Sequence, residues 1–173
     1  MASAQGRGWR SFLRPVLGEP GREPQGLAFE GTEFQLRLTG DWRQVPGDDP
    51  EQFSFASDEK RTVVVISSLP VRLPPSRLLE AAKRLGDTRR EAEQSIPGRK
   101  VTLGDIGAEL RDDGELGHVA YAGYDDHGTI FRFMGWATEA KLLSLWVSTE
   151  TTDNALSKRI FEEVFAGFRF YVP

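Results

Sequence analysis

The sequence predicts an α+β fold, a single antiparallel β-sheet flanked by two helices, and three observations lead there. Several short runs alternate apolar and polar residues, which is the period of half-buried strands. Two longer stretches change to helical spacing. The runs after position 99 follow one another across short Asp/Gly-rich connections, which suit antiparallel hairpins and are too short for parallel crossovers.

The first alternating run is Thr32 to Leu38, with Phe34, Leu36 and Leu38 on one face. Gly40-Asp41-Trp42 turns the chain, and Pro46-Gly47-Asp48-Asp49-Pro50 reads as a loop. Gln52 to Ala56 and Thr62 to Ser67 are expected as two strands joined around Ser57-Asp58-Glu59-Lys60. Val63-Val64-Val65-Ile66 is β-branched throughout, so that strand should be central and covered on both faces.

Pro74-Pro75-Ser76 opens the first helix, because proline tolerates a first turn where its missing N–H is not needed. Leu78, Leu79, Ala82, Leu85, Ala92 and Ile96 share one stripe, Gly86 is expected to bend the helix, and Pro97-Gly98 ends it. The cationic residues Lys83, Arg84, Arg89 and Arg90, balanced by Asp87, Glu91 and Glu93, read as a solvated face. Strands are expected at Lys100 to Leu110, Gly117 to Tyr124, Thr129 to Ala137 and Leu142 to Ser148. Thr152 or Asp153 then caps a last helix with Leu156, Ile160, Val164, Phe165 and Phe168 inward, before a short extended end.

At 173 residues the chain can bury roughly 70% of its unfolded surface. The expectation is one domain over 27–173, preceded by a flexible or lightly packed lead-in over 1–26. The lead-in holds Arg7, Arg10, Arg14 and Arg22, and its apolar residues are too broken up for a secretory signal. It also lacks the sustained amphipathic helix of an organelle transit peptide. Arginine far outnumbers lysine and Asn154 is the sole asparagine, a usage typical of GC-rich bacterial genomes. No run approaches the roughly 20 apolar residues of a membrane span, so no stable membrane insertion is expected.

The absence of cysteine removes disulfides, thiolate zinc sites, iron–sulfur clusters and thiol nucleophiles. A net charge of -4 argues against nucleic acid as a partner. His118 sits on a strand and His127 in a turn, neither in a nucleophile-elbow context, so no catalytic residue is assigned. Asp112-Asp113 and Asp125-Asp126 are turn signatures expected at opposite ends of the sheet, too far apart to share one ion. No metal and no cofactor is expected.

The informative pattern lies on the last two strands of the meander. Phe131, Phe133, Leu143, Leu145 and Val147 are purely apolar and are expected to share the helix-covered face. The opposite face would then mix Ile130, Met134, Trp136, Leu142 and Trp146 with Arg132 and His118. Such a face is either covered by the lead-in or open to a partner. The partner-binding residues assigned here are Trp136, Trp146, Met134, Arg132 and Ile130, since Trp and Arg dominate binding hot spots and Met adapts to its contacts.

The order of elements also resembles a known superfamily. A Phe-x-Leu-x-Leu strand leads into Gly40-Asp41-Trp42, followed by a polar Phe-x-Phe strand, a β-branched strand, a helix and a meander. A closing helix ends in Phe168-Arg169-Phe170. This resembles the PsbP-like α/β/α sandwich superfamily, which includes photosystem accessory proteins and bacterial DcrB-like proteins. The resemblance implies a non-enzymatic, cytoplasmic bacterial accessory protein that binds another protein. A chaperone or immunity protein of a type VI secretion effector would fit. The alternatives are a small-molecule or lipid carrier using the aromatic sheet face, and a hydrolase working through carboxylates.

Overall fold

The computed structural model describes residues 26–171, so the expected lead-in lies outside the described residues except for its last position. The chain runs β1 (Leu27–Glu30), β2 (Phe34–Leu38), β3 (Arg43–Val45), β4 (Gln52–Ser57) and β5 (Thr62–Pro70). Helix α1 (Leu78–Gln94) comes next, then β6 (Val101–Leu103), β7 (Gly107–Arg111), β8 (Leu116–Asp125), β9 (Thr129–Ala137) and β10 (Lys141–Glu150). Helix α2 (Asn154–Gly167) leads directly into β11 (Phe168–Phe170).

The α+β class, the antiparallel pairing and the two helices are as the sequence implies, but there are two sheets and not one. The large sheet has the order β3-β4-β5-β10-β9-β8-β6, with β7 also paired to β8. The small sheet is β1-β2-β11. Strand β2 therefore pairs with β1 on one edge but not with β3, which follows it in sequence. Its other partner is the far end of the described chain, with Phe168 opposite Leu36 and Phe170 opposite Phe34. That long-range pairing lets Phe34, Leu36, Leu38 and Phe168 bury one face against the large sheet.

Two hydrophobic layers result. The small sheet and α2 cover one face of the large sheet, over Phe55, Val64, Ile66, Trp136, Leu143, Leu145 and Val147. Helix α1 covers the other over Val119, Tyr121, Phe131, Phe133 and Trp146. Strand β5 is indeed central, with Val64, Val65 and Ile66 all buried. Gly86 does not bend α1, which is continuous. A Cβ there would stand 2.7 Å from both Ile106 Cδ1 and Val119 Cγ2, so the glycine lets the helix lie close on the sheet. Gly117 serves the same contact from below, where a Cβ would lie 2.2 Å from the Leu78 carbonyl oxygen.

Candidate partner-binding surface

The β9–β10 hairpin decides which side chains share a face. Its turn places Ala137 opposite Leu142 and closes with the Thr138 N–H donating to the Lys141 carbonyl, 2.9 Å. Two residues intervene between Thr138 and Lys141, so every odd-numbered residue faces an even-numbered one. Trp136 is opposite Leu143 and Met134 opposite Leu145, while Phe133 is opposite Trp146. Directly opposed residues project to the same side. The expected grouping of Phe131 and Phe133 with Leu143, Leu145 and Val147 is therefore wrong by one step of the pleat.

The correction separates the two tryptophans. Trp136 is 4% exposed and packs among Phe165, Phe168 and Phe170 under α2 and the small sheet. Trp146 is 3% exposed on the opposite face, beneath Arg89 of α1. They form no common surface, and both belong to the core. Ile130 is nearly buried as well.

Arg132 and Met134 fare differently. Both are half-buried on the α2 side, where α2 does not reach the whole sheet. The register puts Ala120 opposite Met134, Ala122 opposite Arg132 and Tyr124 opposite Ile130. The alanines are too short to close this strip, and Tyr124 at its end is 56% exposed. On the α2 flank Phe165 is 40% exposed although its ring stacks on Trp136. Sequence periodicity put Phe165 inside; it stands at the edge of the buried stripe, while Phe161 and Ser157 point inward instead. The Arg132 guanidinium donates to the Asn154 side-chain oxygen at 2.6 Å, and its Nε has no hydrogen-bond partner. Burial presses the Arg132 pKa below its ordinary value, with Glu162 pulling it back up.

The α1 side carries a charged belt that periodicity did not reveal. Glu93 is 2% exposed and receives Arg89 at 2.8 Å and Arg99 at 2.7 Å. Arg99 also holds Asp125 at 2.6 Å. The same guanidiniums roof aromatic rings: Arg89 over Trp146 at 4.7 Å, Arg90 over Tyr121 at 5.8 Å and Arg99 over Phe131 at 5.3 Å. The expectation of a solvated face is thus corrected for Arg89, Arg90 and Glu93. A cation–aromatic pairing between helix and sheet has no signature in one segment alone, so periodicity does not show it.

The turn acids act as expected. Asp125 accepts the His127 and Thr129 N–H groups, and Asp126 accepts that of Lys100. Asp112 and Asp113 hold positive φ beside Gly114. Among the described residues no cluster of three or more His, Asp or Glu could hold a metal ion. His118 is buried near Trp136, 4.0 Å from the Glu109 carboxylate, and His127 meets the Gly98 carbonyl at 3.0 Å. No hydrogen bond joins either ring to a serine among the described residues. No described helix is long and apolar enough to cross a membrane.

With this architecture in hand, known structures give its class: a PsbP-like fold. The solution structure of cyanobacterial PsbP (CyanoP) from Synechocystis superposes with a TM-score of 0.54 at 17% identity, covering 91% of this chain and 100% of that one. A crystal structure from Bacteroides thetaiotaomicron gives a TM-score of 0.44 at 13% identity, covering 87% of this chain and 50% of that one. LpqN, involved in cell envelope biogenesis of Mycobacterium tuberculosis, gives 0.41 at 15% identity, covering 86% and 91%. No family model matches the sequence. No curated protein matches it either.

Proposed function

We propose that this is a non-enzymatic, cytoplasmic accessory protein that binds another protein through the strip of β8 and β9 left open beside α2. The observation that carries the reading is the strip itself. Arg132, Met134 and Tyr124 line a sheet face of alanines, flanked by the half-exposed Phe165. An arginine with adaptable and aromatic apolar neighbours has the composition of a binding hot spot. Service as a chaperone or immunity protein of a bacterial type VI secretion effector is the specific role we favour. The occupant best suited to the strip is a segment with an apolar side chain for the alanine floor and a carboxylate for Arg132.

The test is affinity capture from the native host with wild type beside Met134→Asp and Tyr124→Ala. A genuine partner should be recovered with wild type and lost with both variants, while their melting temperatures stay within a few degrees of wild type. Capture that is indifferent to both substitutions would end this assignment of the surface.

A further inference from the structure

The two sheets separate at one end of the sandwich, where the β1–β2 turn faces the ends of β5 and β10. A cavity of about 380 Å³ lies there, lined by Thr32, Glu33, Ser68, Pro70, Lys141 and Tyr171. Two of its polar side chains are more than nine-tenths buried: Lys141 is 7% exposed and Ser68 is 8% exposed. A lysine so enclosed is rare unless paired. Lys141 does meet Glu33, with Nζ 2.8 Å from Oε2.

That pair leaves the site unbalanced. An ammonium carries three donors, and Glu33 accepts one of them. The Ser68 hydroxyl makes no hydrogen bond among the described residues, although its backbone N–H donates to the Glu51 carbonyl. A salt bridge serving only as a staple between the sheets would need neither the cavity nor a second buried hydroxyl beside it. Two N–H donors of a buried ammonium thus remain beside a hydroxyl in a cavity open to solvent on the Glu33 side, an arrangement that can receive an oxyanion.

We infer that this cavity binds a small organic carboxylate. Lys141 would donate to the carboxylate with Ser68 beside it, and Pro70 would lie against a short alkyl body. Glu33 sets the charge preference. With its carboxylate present the site is neutral overall, so a monoanion is accepted more readily than a dianion such as phosphate. The site lies apart from the β8–β9 strip, and its occupation does not depend on the partner-binding reading.

The experiment is an NMR titration of the full chain with butyrate and, separately, with inorganic phosphate. Butyrate should give saturable shifts at Thr32, Ser68 and Lys141, and phosphate should bind more weakly. Lys141→Met should weaken butyrate binding about tenfold or more through loss of the charged donor. Glu33→Gln should tighten it about tenfold, because it frees the ammonium from its competitor. A purely structural pair predicts no such gain. The Glu33 side chain is partly exposed and Gln keeps its size, so this variant tests the site even if Lys141→Met fails to fold. Absence of saturable shifts, phosphate binding as tightly as butyrate, or a Glu33→Gln affinity equal to or below wild type would each overturn the site.

Discussion

The two faces of the large sheet are sealed by different chemistry. On the side of α2 and the small sheet the closure is hydrocarbon and stacked rings, with Phe165, Phe168 and Phe170 around Trp136 and Phe34 against Phe168. On the α1 side the rings are roofed by Arg89, Arg90 and Arg99, and Glu93 and Asp125 hold two of those guanidiniums in place. The first closure rests on area removed from water. The second also needs its charges to stay mutually paired. One sheet thus shows two ways of excluding water, and they should fail differently.

The largest effects should come from the tryptophans, one for each closure. Trp136→Ala and Trp146→Ala should each cost about 3–5 kcal/mol of unfolding free energy, read from chemical denaturation, because both rings are buried. A nearly unchanged stability in either would restore that ring to the list of surface residues.

Removing Glu93 is expected to come close behind. Glu93→Ala should cost about 3–5 kcal/mol, because it removes the carboxylate of Arg89 and one of the two carboxylates that hold the mostly enclosed Arg99. Replacing the three buried charges together, Glu93→Met with Arg99→Met and Asp125→Asn, should recover most of that loss, since well-packed hydrocarbon often matches a buried ion pair and Asn keeps an acceptor for the turn N–H groups. If the triple variant is as unstable as Glu93→Ala, the belt is not a charge-balanced unit.

A smaller effect is expected from Arg89, since its partner Glu93 keeps Arg99 when Arg89 is lost. Arg89→Met retains much of the aliphatic packing and should cost about 0.5–2 kcal/mol, seen as a modest fall in melting temperature.

The smallest effect separates the faces by pH. Burial, and then Arg111, hold the His118 pKa below its ordinary value of 6.5, against the pull of Glu109. The unfolded chain takes up this proton near pH 6.5, where the folded chain does not. Stability present above that pH is therefore lost as pH falls through 6.5 toward the folded value. His118→Gln should lessen the drop in melting temperature between about pH 7.5 and 5.5. An identical drop in both proteins would show that His118 titrates as freely folded as unfolded.

What was legible in the sequence is what one segment can state about itself. The alternation of Phe34, Leu36 and Leu38, the β-branched run of β5 and the Asp153 cap, which accepts from Ala155 and Leu156, all stand in the structure. The expected strand from Lys100 to Leu110 is broken into β6 and β7. Facts that belong to two segments were not legible. The face of Trp136 depends on how many residues the β9–β10 turn contains, and the identity of the second sheet depends on β11 finding β2. Gly86 looked like a weak point in a helix because its neighbours Ile106 and Val119 are distant in sequence. The candidate strip was legible in part: Arg132 and Met134 lie on it, whereas the alanines beneath carry no signal of it because small apolar residues look the same in a core.

The union of β2 with β11 also has a temporal meaning. A ribosome delivers β1 and β2 first, yet their sheet lacks a strand until Phe168, Arg169 and Phe170 emerge. Every other described strand must be made before the aromatic side of the large sheet receives its complete cover. Contacts between such distant segments form slowly, so β2 keeps an unpaired edge, and the newly made β9 and β10 an incomplete cover, until β11 has been made. A chain halted before Phe168 should bind a hydrophobic dye that the chain carrying β11 excludes.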